Sequence, residues 1–432
     1  MCWIRKLLKF FGYLLLLLLI ALIGLAIYVH GDEPLSREAQ AIIERVEHSA
    51  SQDDQAFFYQ LGMHAPADKD PIDYGKALYA KELGIDVDES TIGDLQAHRE
   101  SFRWERLQCF YSERASCFTE ELLAAAKENV APHAQFMARF WTLIALPDFM
   151  QMNGRDGIHL YEANSLNAGT HLVLQSILVQ AENGQEVQAF AKLERLIALL
   201  RDGLSRTDYL ISHGHIRVLL NLCLNFRHQF IYYYDVPAPP LVPMTLEERD
   251  YQRVMAYELT LFTRVIQADF YDNSSEIFWG IPFPRPVLNL LYKHNMTTNY
   301  IQYCHQEGMN ARSQQSLEAY LAQPDEQWPV REKQMPVVKN LFGYIFGEMT
   351  CSENVWFPYI QKTRAVEIKI LMSNAIHTQP VSQWVDAVKR VFPDQQVTMN
   401  DKYLCLMLPN MPEVEKVCLI HPNQLKREDA AQ

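Results

Sequence analysis

The sequence holds no CxxC pair, no HExxH, no G-x-S-x-G, no P-loop and no G-x-G-x-x-G. Those absences remove the strongest sequence signals for thioredoxin-like redox sites, zinc peptidases, α/β-hydrolases, nucleotide hydrolases and dinucleotide enzymes. No cofactor is therefore expected. Blocks of like charge long enough to form a tail are also missing, and the formal net charge is −13. An acidic body gains nothing from releasing counterions around phosphate backbones, so no nucleic-acid partner is expected.

What is present starts with one apolar run, Phe10 to Val29, without proline or charge. Twenty helical residues span the ~30 Å hydrocarbon core of a bilayer and satisfy their own backbone there. Arg5, Lys6 and Lys9 precede the run, and Asp32 and Glu33 follow it. Cationic flanks stay cytoplasmic, which puts the amino end inside and the body outside. A cleaved signal peptide is the rival reading, but its apolar region is shorter, ~7–15 residues, and ends in an A-x-A-like site. Gly24-Leu25-Ala26 matches that site weakly. The run reads as a single-pass transmembrane signal-anchor whose partner is the lipid bilayer.

Of eight cysteines, that orientation leaves Cys2 in the reducing compartment. Seven lie where disulfides form. Cys109 and Cys117 are near neighbours and could close a loop, while Cys405 and Cys418 fall on two candidate strands of one hairpin. Cys223, Cys304 and Cys351 sit in apolar or helical stretches and read as buried thiols.

With 49% hydrophobic and 11% aromatic residues the chain can fill a sizeable core. The fold class expected is mainly α: an N-terminal transmembrane helix, a repeat-like body of helical hairpins and a small α+β C-terminal segment. The expected divisions are a cytoplasmic tip and anchor at 1–31, a helical domain at 32–235 and a Pro-rich connector at 236–244. A second helical part at 245–378 and an α+β end at 379–432 complete the chain.

Helical spacing is clear in Gln185 to Leu204, where Phe190, Leu193, Leu196, Leu200 and Leu204 recur on one stripe. It pairs with Ser165 to Glu182 across Asn183-Gly184 as a hairpin of the tetratricopeptide size class, without that repeat's side-chain signature. Thr207 to Tyr234 is apolar almost all round and predicts a central buried helix. Thr245-Leu-Glu-Glu248 has capping-box spacing and predicts a long helix to about Asp269.

Within Thr207 to Tyr234 lie His213, His215 and His228, the one histidine cluster. Imidazoles at i and i+2 leave a helix on different faces, so one helix cannot aim both at one metal, and no metal site is expected. A polar lining in the body, open to a ligand, is the main reading, with a catalytic role as the alternative. The loop 277–288 could present Trp279 and Phe283 to a partner or pack against the body.

Pro284-Arg-Pro-Val-Leu-Asn-Leu-Leu-Tyr292, and Asn340-Leu-Phe-Gly343 followed by Tyr359 and Arg364, give the chain a resemblance. It resembles an uncharacterised proteobacterial family of single-pass inner-membrane proteins with helical periplasmic bodies. That family usually has Pro-Asn-Ala-Thr before Leu-Asn where this chain has Arg285-Pro286-Val287. The resemblance implies an inner-membrane location with a periplasmic body, and carries no activity. Three functions stay open: a binding or scaffold component of the cell envelope with a protein partner, an enzyme using the His213/His215/His228 region, or a lipid- or small-ligand-binding subunit of a transport system.

Overall fold

The computed structural model describes residues 13–20, 31–49, 55–82, 84–85, 117–151, 163–267, 291–322, 339–351 and 353–425. The elements used below are α1 (Arg37–Ser49), α2 (Gln55–Leu61), α3 (Pro71–Glu82), α4 (Glu120–Val130), α5 (Ala134–Ile144), α6 (Ala163–Glu182), α7 (Glu186–Arg206) and α8 (Leu210–Tyr234). They continue with α9 (Gln252–Gln267), α10 (His294–Tyr303), α11 (Leu341–Thr350), α12 (Glu353–Ile376) and α13 (Trp384–Val391). Three strands follow, β1 (Val397–Met399), β2 (Tyr403–Met407) and β3 (Lys416–Ile420). The protein is mainly helical with a small antiparallel sheet at its C-terminal end.

Two compact units form. One comprises Met1–Val46, Ala256–Ala311 and Trp328–Trp356; the other comprises Glu47–Met255, Arg312–Gln327 and Phe357–Gln432.

The larger unit is built on α6, α7 and α8. Connections of a few residues join them, so consecutive helices run antiparallel. Gly184 (φ 76°) makes the first turn in the left-handed region open to glycine. On α7 the buried positions include Phe190, Leu193, Leu196, Ile197, Leu200 and Leu204, as the stripe requires. α8 buries Ile216, Leu219, Leu220, Cys223, Phe226 and Phe230 and occupies the middle of the core. Cys223 is a buried free thiol, and burial raises its pKa. Thr119 caps α4, its hydroxyl accepting from Leu122 N, with Glu120 and Glu121 in the first turn.

The proline-rich segment is extended, yet it is packed where a connector would be solvated. Val236, Ala238, Leu241 and Met244 belong to the core. Arg227 and Arg201 donate to the carbonyls of Pro239, Val242 and Pro243, and Asn374 bonds both the N–H and the C=O of Leu241.

Thr245 and Glu248 do form a capping box, but the turn they start ends at Arg249. Asp250 turns extended and its carboxylate caps Gln252 N at 3.0 Å, starting α9 afresh. The break drives Tyr251 into the core, where its hydroxyl bonds the Tyr359 carbonyl and Thr363 Oγ1, each at 2.9 Å. A locally favourable long helix has yielded to a tertiary anchor.

The C-terminal sheet runs β1-β2-β3, antiparallel throughout. Leu404 and Leu406 alternate inward along β2, and Cys405 stands opposite Cys418, to which it is bridged. Trp384 on α13 is fully buried, its ring 6.0 Å from His421 and 5.3 Å from Tyr232, and anchors the sheet's surroundings to α8.

In the smaller unit Leu259, Met296, Tyr300, Ile301 and Cys351 form a core, with Ile42 and Tyr344 against it. Asn340 joins α10 to α11. Its Oδ1 accepts from Gly343 N and Lys293 N, while Nδ2 donates to Thr297 Oγ1 and to the Lys293 carbonyl. A Cβ at Gly343 would sit 2.1 Å from Asn340 Nδ2 and from Thr297 Oγ1, so that turn requires glycine. Cys304 and Cys351 correct the expectation of buried thiols. Following α10 and closing α11, they have Cα atoms 5.8 Å apart and are disulfide-bonded.

Of the run Phe10–Val29 only residues 13–20 are described. They are helical, and every side chain from Tyr13 to Ile20 is exposed. Among the described residues no helix is long and apolar enough to cross a membrane. Phe10, Val29 and Cys109 lie outside the described residues, and with Cys109 so does the Cys109–Cys117 pairing.

Candidate functional site

The histidines of α8 do not meet. His213 and His228 are fifteen residues apart, or ~22 Å of helix. His213 lies against the Tyr251 ring at 4.4 Å. Its pKa is pushed down to about 3, first by burial and then by the Arg217 charge, with the Glu248 backbone opposing. His215 leaves on another face, where Nε2 pairs with Asn167 Oδ1 at 3.0 Å, and burial lowers it to about 4. His228 Nε2 donates to the Ile420 carbonyl at 2.8 Å and so ties α8 to β3. Burial lowers it to about 4 against that bond's pull, with Lys369 and Arg227 adding to the lowering.

Each ring is thus neutral near pH 7. Among the described residues no three His, Cys, Asp or Glu side chains are grouped to hold a metal. Trp279 and Phe283 lie outside the described residues.

The neutral rings have a measurable consequence. In the unfolded chain imidazoles titrate near 6.5. As pH falls below that, the unfolded state takes up protons that the folded rings refuse, so stability falls. The loss reaches about 1.4 kcal/mol per pH unit for each histidine and levels off at the folded values near 3 to 4. Urea midpoints measured from pH 7 down to pH ~4 should therefore decline, and His215→Gln should shallow the slope. An unchanged slope in that variant would remove His215 from the account.

What the tertiary structure does assemble on α8 is a cleft of about 330 Å3. Arg217, Val218 and Asn221 come from α8; Lys362, Ala365, Val366 and Lys369 come from α12. Glu413, Val414, Lys416 and Val417, around the start of β3, close it. Four cations therefore face one carboxylate across a partly aliphatic wall.

The depth of these cations differs. Lys362 and Lys416 are exposed. Lys369 is only 3% exposed, and its Nζ donates to Asn225 Oδ1 at 2.7 Å. Arg217 is 6% exposed and donates to the Tyr359 carbonyl at 3.0 Å. Burial lowers its pKa, opposed by the phenols of Tyr251 and Tyr359. Among the described residues, neutral oxygens thus compensate a buried guanidinium whose desolvation costs several kcal/mol.

No local motif marks these residues together, because they are scattered from 217 to 416. The traces that exist are weak. Arg217 and Asn221 share a helix face at i, i+4, and Lys362, Ala365, Val366 and Lys369 share another at i, i+3, i+4, i+7. Such patterns also mark ordinary solvated faces, and only the approach of β3 turns them inward. The Tyr359 carbonyl accepts from Arg217, and Arg364 is buried. Compared with family models, with curated proteins and with solved structures, this chain matches none.

Proposed function

We propose that this chain is a membrane-tethered binding or scaffold protein of the cell envelope, held by Phe10–Val29 with its body on the outer side of the inner membrane. One observation carries the tether. The residues just after the apolar run are clamped onto the smaller unit instead of forming a free linker. Asp32 accepts from Asn295 N at 2.9 Å and Met296 N at 3.2 Å, capping the start of α10. Asn299 donates to Glu33 Oε1 and to the Pro34 carbonyl, and accepts from Ser36 N. Residues 32–36 are therefore fixed to folded structure within a few positions of the end of the apolar run, which suits a fixed stand-off from a bilayer. The disulfides Cys304–Cys351 and Cys405–Cys418 suit an oxidising compartment.

Binding is favoured over catalysis because the cleft on α8 supplies charge and shape without an assembled nucleophile and base. Alkaline-carbonate extraction of cell membranes tests the tether. The chain is expected to remain in the pellet, and protease added to spheroplasts should degrade the body. Release by carbonate, or a body protected in spheroplasts, contradicts the proposal.

A further inference from the structure

We infer that the cleft between α8, α12 and β3 binds a small phosphate-bearing anion, with an apolar continuation against its valine wall. The inference rests on the reading of this chain as a binding protein, but not on where the chain resides. Three features of the cleft define the ligand.

The first is the buried Arg217. A guanidinium at that depth, offset by phenols and a carbonyl, has a desolvation cost that an incoming anion would repay. Its planar fork suits a phosphate or carboxylate, and the adjoining ammonium groups act as point charges on the same ligand. The second is charge balance. Among the described residues that line the cleft, Lys362, Lys369 and Lys416 join Arg217 and Glu413 is the one carboxylate, an excess that suits a dianion better than a monoanion. A phosphate monoester carries about −1.5 to −2 at neutral pH, whereas a carboxylate carries a single charge.

The third feature is the surrounding field and the wall. The protein carries −13 overall, so a polyanion extending beyond the cleft would be repelled. A ligand small enough to be enclosed by the four cations escapes that repulsion within about one Debye length. Val218, Val366, Val414 and Val417 then offer aliphatic surface beside the charges. At about 330 Å3 the cleft is at the small end of ligand sites, enough for a headgroup and the first part of a chain. Two sources share this chemistry: the monoester headgroup of phosphatidic acid and a free phosphate ester.

Isothermal titration of the detergent-solubilised full chain decides the matter. The probes are inorganic phosphate, glycerol phosphate and dihexanoyl phosphatidic acid, with hexanoate as the carboxylate control. Binding of the phosphate probes is expected. Tighter binding of dihexanoyl phosphatidic acid identifies the lipid source, and equal affinity for all three identifies the free ester. The paired change Lys362→Gln/Lys416→Gln alters exposed side chains and should weaken binding about tenfold with thermal unfolding unchanged. Arg217→Lys keeps the charge but loses the fork, and should weaken it as well.

No binding by any phosphate probe, or hexanoate binding as tightly, overturns the inference. So does an affinity unchanged to within about twofold in the folded lysine pair. Because the titration is done in detergent, such a failure would leave the carbonate extraction standing, and a failed extraction would leave the titration standing.

Discussion

Replacing Arg364 with leucine is expected to destabilise the larger unit by about 3–5 kcal/mol, the range for removing one partner of a buried ion pair. Arg364 is 1% exposed on α12. One nitrogen donates to Glu367 Oε2 at 2.7 Å; another serves the carbonyls of Arg312, Ser313 and Gln315 at 3.4, 3.0 and 2.6 Å. Its guanidinium also lies 5.0 Å from the Tyr320 ring centroid. Leucine fills part of the volume but leaves those carbonyls without this donor. Glu367 keeps Arg249 at 2.9 Å, so the loss is expected toward the lower end of that range. Arg364→Lys keeps a charge but cannot reach both sides, so an intermediate loss is expected. Urea unfolding followed by circular dichroism measures both. A leucine variant within about 1 kcal/mol of the parent would show that the hub is not a stabilising contact.

Phe140→Ala should cost a comparable amount, about 3–5 kcal/mol, because the ring is wholly buried between α5 and α6. Its neighbour makes the prediction sharper. A Cβ on Gly169 would lie 2.1 Å from Phe140 Cδ2 and 2.5 Å from Cγ, so the ring occupies the space a side chain would need. Gly169→Ala gains up to about 1 kcal/mol of helix propensity but loses more by overpacking, about 1–3 kcal/mol. Shortening the ring should relieve that clash. Gly169→Ala combined with Phe140→Leu is therefore expected to cost less than the two single changes added, by about 0.5–3 kcal/mol. Additive losses across the four proteins of this cycle would mean that ring and glycine are not coupled.

Legibility in the sequence follows the range of the forces. The stripe of α7, the all-round apolar character of α8 and the Thr245 cap rest on neighbours within a few residues. The hairpin bearing Cys405 and Cys418 could be read because alternation and two turns specify its register. The long helix expected from Thr245 could not survive as read. Its interruption at Asp250 depends on Tyr251 meeting a carbonyl on residue 359, a partner more than a hundred positions away. Cys304 and Cys351 lie 47 positions apart, and only the packing of α10 against α11 brings them together.

The candidate site shows the same division more sharply. Histidines at 213, 215 and 228 draw attention in a sequence because they interrupt an apolar helix, and the helix itself then separates them by geometry. The cleft has no comparable signal, since a lysine on a helix face and a lysine beside a strand are unremarkable until packing opposes them. By itself the sequence determined the helical character, the single apolar run with its flanking charges and the C-terminal hairpin, through backbone preference and local periodicity. Only the tertiary structure decided which polar groups lost water, which cysteines met and which cations came to share one cleft. Burial and electrostatics depend on distances between residues remote in the chain, and those distances exist only once the chain has packed.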